Sequence, residues 1–370
     1  MASRKTEKKR IAVLFGGQST EHEISLLSSR NIINAIDRQK YDLTLIGVNK
    51  NGCWILYDDE NYLINADNPA TISLAPARRY LAMVPGQYQA QLIDTSNGHQ
   101  LPLIDVAFSV LHGANGENGS VQGLLRVLNI PYVGTDVLGS ALCMDKDMTK
   151  RVLRNAGVLV TPSVTLLRTD DGMVPDFDFI VSQLGLPLFI KPVNQGSSIG
   201  VSKITNRAGF KVALALAFSY DTKILVEQAI IGREIEIAVL GNESPEVSVC
   251  GEINTNDEFY TYDTKYLKNT QTEFLIPAPL IKSVATALQK TARIAYLMLG
   301  CSVMARVDFF LTEKGQIILN EVNTMPGFTS ISMYPKLWEA SGLNYPTLVN
   351  HLITLALERD YTTRITNNER

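Results

Sequence analysis

The segment Ile11-Ala12-Val13-Leu14-Phe15-Gly16-Gly17 is a short apolar run that ends in two glycines, and this pattern indicates the fold class. A stretch with helical periodicity follows it through Leu26 and Ile36, and residues 44–48 predict the next strand. A strand, a glycine turn, a helix and a second strand in this order are typical of an α/β domain with a mostly parallel sheet. Ligands of such sheets bind where the strands end, so the glycine turn is a candidate binding site.

The same pattern recurs near residue 110. A predicted strand at 106–111 runs into His112 and a glycine-rich segment that ends at Gly119, and residues 121–128 then have helical periodicity. Because the carboxyl ends of parallel strands lie at one edge of the sheet, we expect the two glycine turns to be neighbours.

The pattern of predicted strands and helices changes from about residue 145 onward. Predicted strands at 188–193, 224–228 and 234–240 follow one another closely, and the strands at 303–310 and 316–323 are joined by a short turn. A long helix at 282–299 precedes the last pair. This half therefore predicts an α+β arrangement built from hairpins.

Composition limits the classes of function. The chain has 370 residues, of which 45% are hydrophobic, and a formal net charge of −3. This length allows two or three domains, and the near-neutral charge disfavours a bulk nucleic-acid binder, because phosphate affinity depends on accumulated basic charge. The apolar runs are too short for a signal peptide or for the roughly 20 apolar residues of a membrane span. The four cysteines lack metal-site spacing and fit reduced thiols, so we expect a cytoplasmic protein without a nucleic-acid or membrane partner.

The last predicted hairpin carries acids and an arginine on adjacent strands. If its turn is centred between residues 313 and 314, the numbers of paired residues add to 627, and Arg306 faces Glu321. By the same count, Asp308 faces Leu319. Alternation along the strands predicts one shared face with these members: Arg306, Asp308, Leu319, Glu321 and Asn323.

Carboxylate and amide oxygens of this kind suit Mg²⁺, especially when substrate phosphates complete the coordination. The alternative is a surface salt bridge between Arg306 and Glu321, and a β-bulge would change the pairing. The turn that follows Asn323 contains Gly327, whose N–H group can face a reacting centre.

A second candidate site is the loop after the strand at 188–193. Lys191 precedes Asn194-Gln195-Gly196-Ser197-Ser198-Ile199-Gly200, in which glycine N–H groups and serine hydroxyls can bind phosphate oxygens. The loop is not a Walker A motif, because the chain has no Gly-Lys pair, and the GxGxxG spacing of dinucleotide enzymes is also absent. An ordinary turn remains the alternative.

Several carboxylates lie at predicted strand or helix ends. Glu227 ends one predicted strand and Glu234 begins the next, where they can accept hydrogen bonds from a ribose. Glu21 opens the first predicted helix, where it can bind a substrate ammonium group or complement the helix dipole. Solvated surface acids are the alternative for Glu227 and Glu234. The polar loop at 255–269 has the length of an active-site lid and contains Tyr260, Tyr262, Lys265 and Tyr266.

These segments also form an ordered set of motifs between about residue 11 and residue 357. In chain order they are Val13-Leu14-Phe15-Gly16-Gly17, Glu21-His22-Glu23-Ile24-Ser25-Leu26, His112-Gly113, Gly116-Glu117-Asn118-Gly119, Gln122-Gly123, Lys191-Pro192, Gly196-Ser197-Ser198, Gly232-Arg233-Glu234, Tyr260-Thr261-Tyr262-Asp263-Thr264-Lys265-Tyr266, Arg306-Val307-Asp308, Asn320-Glu321-Val322-Asn323-Thr324-Met325-Pro326-Gly327-Phe328-Thr329 and Ser332-Met333. The set resembles the D-alanine–D-alanine ligases. One departure is Asn118, where that family usually carries Asp.

The resemblance implies a three-domain ATP-grasp fold that mixes α/β and α+β architecture. An N-terminal parallel-sheet (Rossmann-like) domain is expected at residues 1–139, a central domain at 140–230, and a C-terminal domain with the metal site and the lid at 231–370. It implies that ATP and two D-alanines give ADP, phosphate and the dipeptide of peptidoglycan through an acyl phosphate. It also implies two Mg²⁺ ions, with Mn²⁺ as a substitute, and a homodimer.

The resemblance further assigns roles to individual residues by their motif positions. Catalytic roles fall on Glu21, Ser197, Tyr266, Arg306 and Gly327. Amino-acid binding falls on Ile24, His112, Ser332 and Met333. ATP binding falls on Lys146, Lys191, Ser198, Glu227, Gln228, Ala229, Ile230, Glu234, Lys265 and Asn320. Metal binding falls on Asp308, Glu321 and Asn323.

Two alternatives remain at this point. One is a D-alanine–D-lactate ligase or another ATP-grasp carboxylate–amine ligase; Tyr266 argues against the lactate enzyme, since ester-forming relatives often carry Phe there. The other is a non-catalytic nucleotide-binding module, which would be expected to have lost its metal face, whereas Asp308, Glu321 and Asn323 are all present.

Overall fold

The computed structural model describes residues 8–169, 176–254 and 273–368. The candidate lid at 255–269, with Tyr260, Tyr262, Lys265 and Tyr266, lies outside these residues. Within the described part of the chain, no helix combines the length and apolar character needed to cross a bilayer.

The strands are β1 (Lys9–Gly16), β2 (Tyr41–Val48), β3 (Trp54–Tyr57), β4 (Leu63–Ile64), β5 (Ser73–Leu74), β6 (Leu81–Met83), β7 (Leu92–Asp94), β8 (His99–Gln100), β9 (Val106–Ser109), β10 (Tyr132–Val133), β11 (Ser163–Leu167), β12 (Leu188–Pro192), β13 (Ser202–Ile204), β14 (Lys223–Gln228), β15 (Arg233–Gly241), β16 (Glu246–Asn254), β17 (Glu273–Leu275), β18 (Val303–Leu311) and β19 (Ile317–Asn323). The helices are α1 (His22–Ala35), α2 (Ser120–Val127), α3 (Val137–Met144), α4 (Lys146–Asn155), α5 (Phe177–Leu184), α6 (Arg207–Tyr220), α7 (Lys282–Met298), α8 (Met333–Ala340) and α9 (Tyr345–Asn368).

The first sheet has the strand order β10-β9-β1-β2-β3 and is parallel except at β3. Its central strand β1 is apolar and buried from Ile11 to Phe15, because a parallel strand in the middle of a sheet is covered on both faces. The chain runs outward from β1 through β2 on one side and returns through β9 on the other. The carboxyl ends of β1 and β9 therefore flank a topological switch point, where ligands of open α/β sheets bind. The predicted parallel sheet is confirmed.

The other two large sheets are antiparallel, as the hairpin pattern predicts. The second sheet has the order β11-β14-β12-β13, and its core includes side chains from α5 and α6. The third has the order β17-β16-β15-β18-β19, and α7 contributes Leu288, Ala292 and Tyr296 to its core. Smaller sheets, β4-β5 and β6-β7-β8, lie between β3 and β9 in the chain.

Backbone hydrogen bonds join the segment before β11 to the edge of the third sheet. The Leu319 N–H donates to the Leu159 carbonyl at 2.8 Å, and the Thr161 N–H donates to the Leu319 carbonyl at 3.3 Å. This link holds the second and third sheets on either side of a cleft, and the first sheet adjoins the same cleft through contacts such as Asn31 Nδ2 to the Phe328 carbonyl at 3.0 Å.

The register predicted for the last hairpin is wrong. Arg306 pairs with Asn323 and Asp308 pairs with Glu321, while Leu319 pairs with Phe309 beyond a bulge that follows Asp308. The turn has an odd number of residues between Leu311 and Ile317, so its centre lies on Lys314, and the bulge adds a further shift of one residue. Leu319 consequently does not share the acidic face; it is fully buried in the α7 core.

Candidate active site

Two adjoining cavities occupy the cleft. The smaller, with a volume of about 1100 Å³, lies at the switch point of the first sheet and against residues 322–333. The larger, of about 1660 Å³, lies between the second and third sheets. Their shared wall includes Lys146, Gly196, Ser197, Glu236, Arg306 and Glu321. A ligand in one cavity can therefore touch a ligand in the other.

Every described residue of the predicted site lines one of these cavities. The smaller cavity contains Glu21, Ile24, His112, Asn323, Gly327, Ser332 and Met333. The larger contains Lys191, Ser198, Glu227, Gln228, Ala229, Ile230, Glu234, Asp308 and Asn320. Lys146, Ser197, Arg306 and Glu321 belong to both. Tyr266 and Lys265 lie outside the described residues.

Glu21 lies where two glycines allow a very close approach. The Ser197 hydroxyl donates to Glu21 Oε1, across a sequence distance of 176 residues. A Cβ atom on Gly113 would lie 2.7 Å from Glu21 Oε2, and one on Gly196 would lie 2.9 Å from it. Both positions must stay glycine for this carboxylate to hold its place. The arrangement presents a buried negative charge to the smaller cavity, which suits a substrate ammonium group.

His112 links the first sheet to the turn after β19. Its Nδ1 lies 3.2 Å from the Met325 carbonyl, and its Nε2 lies 3.2 Å from Ser28 Oγ. Burial alone would lower the pKa of His112, but the Glu117 carboxylate 3.7 Å away and the charge of Glu21 outweigh it and raise the pKa. The protonated ring donates from both nitrogens. Ser28 Oγ also accepts from the Phe328 N–H at 3.3 Å, so the turn is held on two sides.

The turn itself is compact around Ser332. Ser332 Oγ accepts from the Thr329 N–H at 3.0 Å and contacts Thr329 Oγ1 at 2.8 Å. A Cβ on Gly327 would lie 2.6 Å from the same hydroxyl oxygen. The backbone at Gly327 is therefore packed directly on Ser332, and both line the end of the smaller cavity.

The loop between β12 and β13 has a tight backbone. Ser197 and Ser198 both have positive φ, at 49° and 60°, a conformation that is uncommon outside glycine. Asp221 Oδ2 accepts from the backbone N–H and the side-chain amide of Asn194, which fixes the start of the loop. Lys146 Nζ donates to the Gln195 carbonyl at 2.7 Å and lies 3.8 Å from Glu321 Oε2. Lys146 thus lies between the loop and the acidic face.

A buried ion-pair cluster lies behind the larger cavity. Glu227 Oε1 is 2.9 Å from Lys150 Nζ, and Glu227 Oε2 is 2.6 Å from Lys191 Nζ. Burial would raise the pKa of Glu227, but the two lysines overcome this and lower it. Burial lowers the pKa of Lys150 to about 8. Lys150 is not among the residues predicted from the sequence, and its one available signal is its position four residues after Lys146, one helical turn along α4.

The far end of the larger cavity combines backbone with apolar side chains. The N–H groups of Gln228 and Ala229 donate to the carbonyls of Pro162 and Pro187, at 3.1 and 3.0 Å, so this strand end is rigid. Phe189, Val201 and Ile235 are among the apolar residues that line the same cavity. A flat aromatic group fits between such walls.

The acidic face of the third sheet is a cross-strand row. Glu236 on β15 pairs with Asp308 on β18, which pairs with Glu321 on β19. Arg306 Nε and Nη2 donate to the two oxygens of Asp308 at 2.8 and 2.7 Å, and Glu236 Oε2 lies 2.9 Å from Arg306 Nε. Burial would lower the pKa of Arg306, but Asp308 and Glu236 raise it, so the guanidinium stays charged. Glu236 was also missed, because its place in the row depends on the β15–β18 register.

The donor set of this face fits a hard divalent cation. Among the described residues, no group of three or more His, Cys, Asp or Glu side chains converges closely enough to hold a metal. Asp308 and Glu321 are nevertheless cross-strand neighbours, and Asn323 Nδ2 donates to Asp308 Oδ2 at 2.9 Å. Two carboxylates and an amide beside a phosphate-sized loop are oxygen ligands of the type that Mg²⁺ takes together with substrate phosphates.

Comparison with known proteins gives consistent matches along the chain. Residues 10–135 match the family model described as D-ala D-ala ligase N-terminus, and residues 152–354 match the one described as D-ala D-ala ligase C-terminus. The chain is 74% identical over 356 residues to a D-alanine–D-alanine ligase of Sodalis glossinidius, covering 96% of this chain and 97% of the relative. It is 54% identical over 352 residues to D-alanine–D-alanine ligase A of Salmonella typhimurium, covering 95% and 96%.

Solved structures give the same result. The D-alanine–D-alanine ligase of Coxiella burnetii superposes with a TM-score of 0.84 at 37% identity and covers 98% of both chains. The VanG D-Ala:D-Ser ligase of Enterococcus faecalis superposes with a TM-score of 0.81 at 36% identity, covering 95% of this chain and 100% of that one.

Proposed function

This chain belongs to the D-alanine–D-alanine ligase family, and from that premise we propose how its two cavities perform the reaction. The enzyme has the ATP-grasp fold and joins two D-alanines at the expense of ATP, in a step of peptidoglycan synthesis. The observation that carries the assignment of the cavities is their shared wall. The cavity that contains Glu21 and the cavity that contains Lys191 meet at Lys146, Ser197, Arg306 and Glu321.

We assign ATP to the larger cavity. The adenine ring lies between the apolar walls beside Gln228, Ala229 and Ile230, and Glu234 accepts from the ribose. Because the N–H groups of residues 228 and 229 are already engaged, the base is read by the backbone groups that follow them. The phosphates extend toward Lys191, Ser198 and Lys146, and Asn320 lines the same cavity near the acidic face.

We assign the metal ions to the acidic face. Asp308, Glu321 and Asn323 would hold two Mg²⁺ ions, or Mn²⁺ in their place, and such ions would supply positive charge beside the phosphoryl oxygens. Asp308 also accepts two hydrogen bonds from Arg306, so this carboxylate would be shared between the guanidinium and a cation. This role for the three residues is supported by their oxygen donors and their position beside the phosphate loop.

The first chemical step activates a carboxylate. The ammonium group of the first D-alanine binds Glu21, near Ile24 and His112, and its carboxylate points toward the shared wall. A carboxylate oxygen attacks the γ-phosphorus of ATP, the bond to the β-phosphate oxygen breaks, and ADP leaves. The product is an acyl phosphate, whose phosphate is a far better leaving group than oxide.

The second step forms the peptide bond. The second D-alanine binds near Ser332 and Met333, and its neutral amine attacks the acyl carbon. Arg306 and the Gly327 N–H stabilise the tetrahedral oxyanion, and phosphate leaves as the amine proton is lost. The acyl phosphate must be shielded from water, and Ser197 with Glu21 forms the part of that enclosure that belongs to the described residues.

Several features of the sequence interpretation stay predictions. They are the domain boundaries at 139 and 230, the roles of the individual site residues, the two metal ions, the homodimer and the cytoplasmic location, which is supported by the need for ATP. The involvement of Tyr266 and Lys265 in a lid also stays a prediction.

The test of the proposed function is an amino-acid screen coupled to ADP release. We expect ADP and D-alanyl-D-alanine to form with D-alanine, and little ADP with L-alanine, because Glu21 and the turn at Gly327 hold one configuration at the α-carbon. D-lactate and D-serine are included as second substrates, since one structural neighbour is named a D-Ala:D-Ser ligase. Equal use of both alanine enantiomers, or preference for D-lactate, would contradict the proposal.

A further inference from the structure

We propose that Lys150 is a positioning residue that neutralises Glu227, so that the charge of Lys191 is available to the phosphates of ATP. This inference rests on the proposed placement of the nucleotide in the larger cavity. It concerns a residue that does not itself line that cavity.

Lys150 and Lys191 differ in whether they line the larger cavity. Lys191 and Glu227 both line the larger cavity, whereas Lys150 approaches Glu227 from α4, on the side away from it. Each lysine takes one carboxylate oxygen of Glu227, at 2.9 Å for Lys150 and 2.6 Å for Lys191. The Lys150 side chain is only 1% exposed, so its contact with Glu227 is shielded from solvent.

The net charge of the cluster formed by Lys150, Lys191 and Glu227 depends on Lys150. Two ammonium groups and one carboxylate leave a net charge of +1 beside a cavity that receives phosphates. Without Lys150, Lys191 and Glu227 would form a neutral pair, and any movement of Lys191 toward a phosphate would leave a buried carboxylate without a cation. Such a carboxylate is strongly unfavourable in a protein interior. Lys150 therefore allows Lys191 to bind a phosphate of the nucleotide while Glu227 keeps a cationic partner.

The charged groups around Lys150 come from three elements. They are Glu227 on β14, Lys191 on β12 and Arg154 on α4 itself. Burial and the two neighbouring cations favour the neutral amine, and Glu227 favours the ammonium form. The resulting pKa of about 8 means that raising the pH above neutrality removes the charge of Lys150 before that of an ordinary lysine.

The first experiment compares ATP with adenosine, which lacks phosphates. Dissociation constants for both are measured by titration calorimetry at fixed free Mg²⁺ in the wild-type enzyme and in Lys150→Met. We expect Lys150→Met to weaken ATP binding on the order of tenfold while changing adenosine binding less than about twofold, because only the phosphates use the charge of Lys191. Equal weakening of both ligands would assign Lys150 to packing and overturn the proposal, as would unchanged binding of ATP.

Two further variants sharpen the comparison. The measured quantity is the dissociation constant of adenosine divided by that of ATP. Lys223→Met removes another partly buried lysine of the second sheet, which pairs with Asp145 and Asp147, and it should leave this ratio unchanged. The double variant Lys150→Met with Glu227→Gln removes one cation and one anion, so the net charge of +1 returns. The ratio should recover toward the wild-type value, even if Glu227→Gln weakens the binding of both ligands. A ratio that stays low in the double variant would contradict the charge argument.

The wild-type enzyme provides a test that needs no variant. As the pH rises through about 8, Lys150 loses its proton, and the preference for ATP over adenosine should fall; Lys150→Met should show no such step. A preference that stays constant from neutral to alkaline pH would overturn the proposal. If the wild-type enzyme bound no ATP at all, the proposed function itself would fail, which the ADP-release screen reports separately.

Discussion

Arg306 lies between two carboxylates that differ in their proposed roles. Its guanidinium donates to both oxygens of Asp308, which we propose as a metal ligand. Glu236, which is not among the proposed metal ligands, lies 2.9 Å from Arg306 Nε. We therefore propose that Glu236 would hold the guanidinium toward the oxyanion while Asp308 binds a cation. This role depends on the cross-strand register and is not part of the resemblance-based assignment.

We predict that Glu236→Gln lowers kcat for dipeptide formation by roughly tenfold to a hundredfold, because a loosely held arginine stabilises the oxyanion less well. Glu236 lines the larger cavity, but our placement of ATP assigns it no nucleotide group, so the dissociation constant of ATP should change little. Steady-state kinetics and ATP titration measure the two quantities. Glu252→Gln is the matched control: Glu252 forms a similar pair with Arg233 on the same sheet, with two contacts of 2.7 Å. Equal losses in the two variants would show that Glu236 serves only the stability of the sheet.

At the scale of elements, the loop between β12 and β13 connects the two cavities. Its Ser197 reaches back to Glu21, and its Gly196 packs against the same carboxylate. Ser197 and Ser198 accept left-handed backbone conformations to do so. The loop therefore couples the position of Glu21, the proposed amine-binding acid, to that of Ser198, a proposed phosphate-binding residue, and any added atom at the contact should disturb both.

We predict that Gly196→Ala raises the KM for D-alanine on the order of tenfold or more, because the new Cβ would lie 2.9 Å from Glu21 Oε2 and must displace the carboxylate. Initial rates over a range of D-alanine concentrations measure the effect. Gly209→Ala on α6 is the control, since its Cβ would meet only Ile204 Cδ1 at 3.5 Å, an ordinary contact. If both variants keep the wild-type KM, the close packing of Gly196 against Glu21 has no effect on the use of D-alanine.

The elements themselves follow from local sequence, but their fine geometry does not. The strands β1, β12 and β18 are predicted because apolar runs bounded by glycine or turn residues leave few alternatives. The register of β18 and β19 is missed because a bulge and an odd-numbered turn are settled by the packing of Phe309 and Leu319 in the α7 core. The prediction that Asp308 and Glu321 share a face nevertheless survives, since the two shifts together move the pairing by an even number of residues.

At the scale of the whole molecule, the site consists of groups that are distant in sequence. Ser28 on α1 and Phe328 after β19 meet through a hydrogen bond across 300 residues, and Lys150 meets Glu227 through an ion pair between α4 and β14. Motif resemblance includes Phe328, which lies in a quoted motif, but not Ser28, which lies two residues beyond one. It cannot show a buried partner such as Lys150, whose importance arises only from the three-dimensional arrangement.

Arg359 on the C-terminal helix α9 forms hydrogen bonds to both the first sheet and the segment before β18. We therefore expect its substitution to destabilise the protein. Arg359 donates to the Gly134 and Tyr132 carbonyls at 2.5 and 2.8 Å and to Ser302 Oγ at 2.6 Å, and it lies over the Tyr132 ring at 4.7 Å. We predict that Arg359→Met destabilises the protein by about 1–3 kcal/mol, because buried carbonyls lose their donor. The midpoint of the first thermal unfolding transition measures this.

The same substitution at a half-exposed pair separates the loss of these hydrogen bonds from a general effect of losing an arginine. Arg38 pairs with Asp59 where both side chains are about half exposed, so Arg38→Met should change the free energy of unfolding by no more than about 1 kcal/mol. The folded fraction of Arg359→Met should retain the wild-type kcat, because Arg359 lines neither cavity. Equal thermal midpoints for the two variants would show that the first sheet is held by its apolar contacts with α9 alone, of which Leu348, Leu352 and Ile353 are fully buried members.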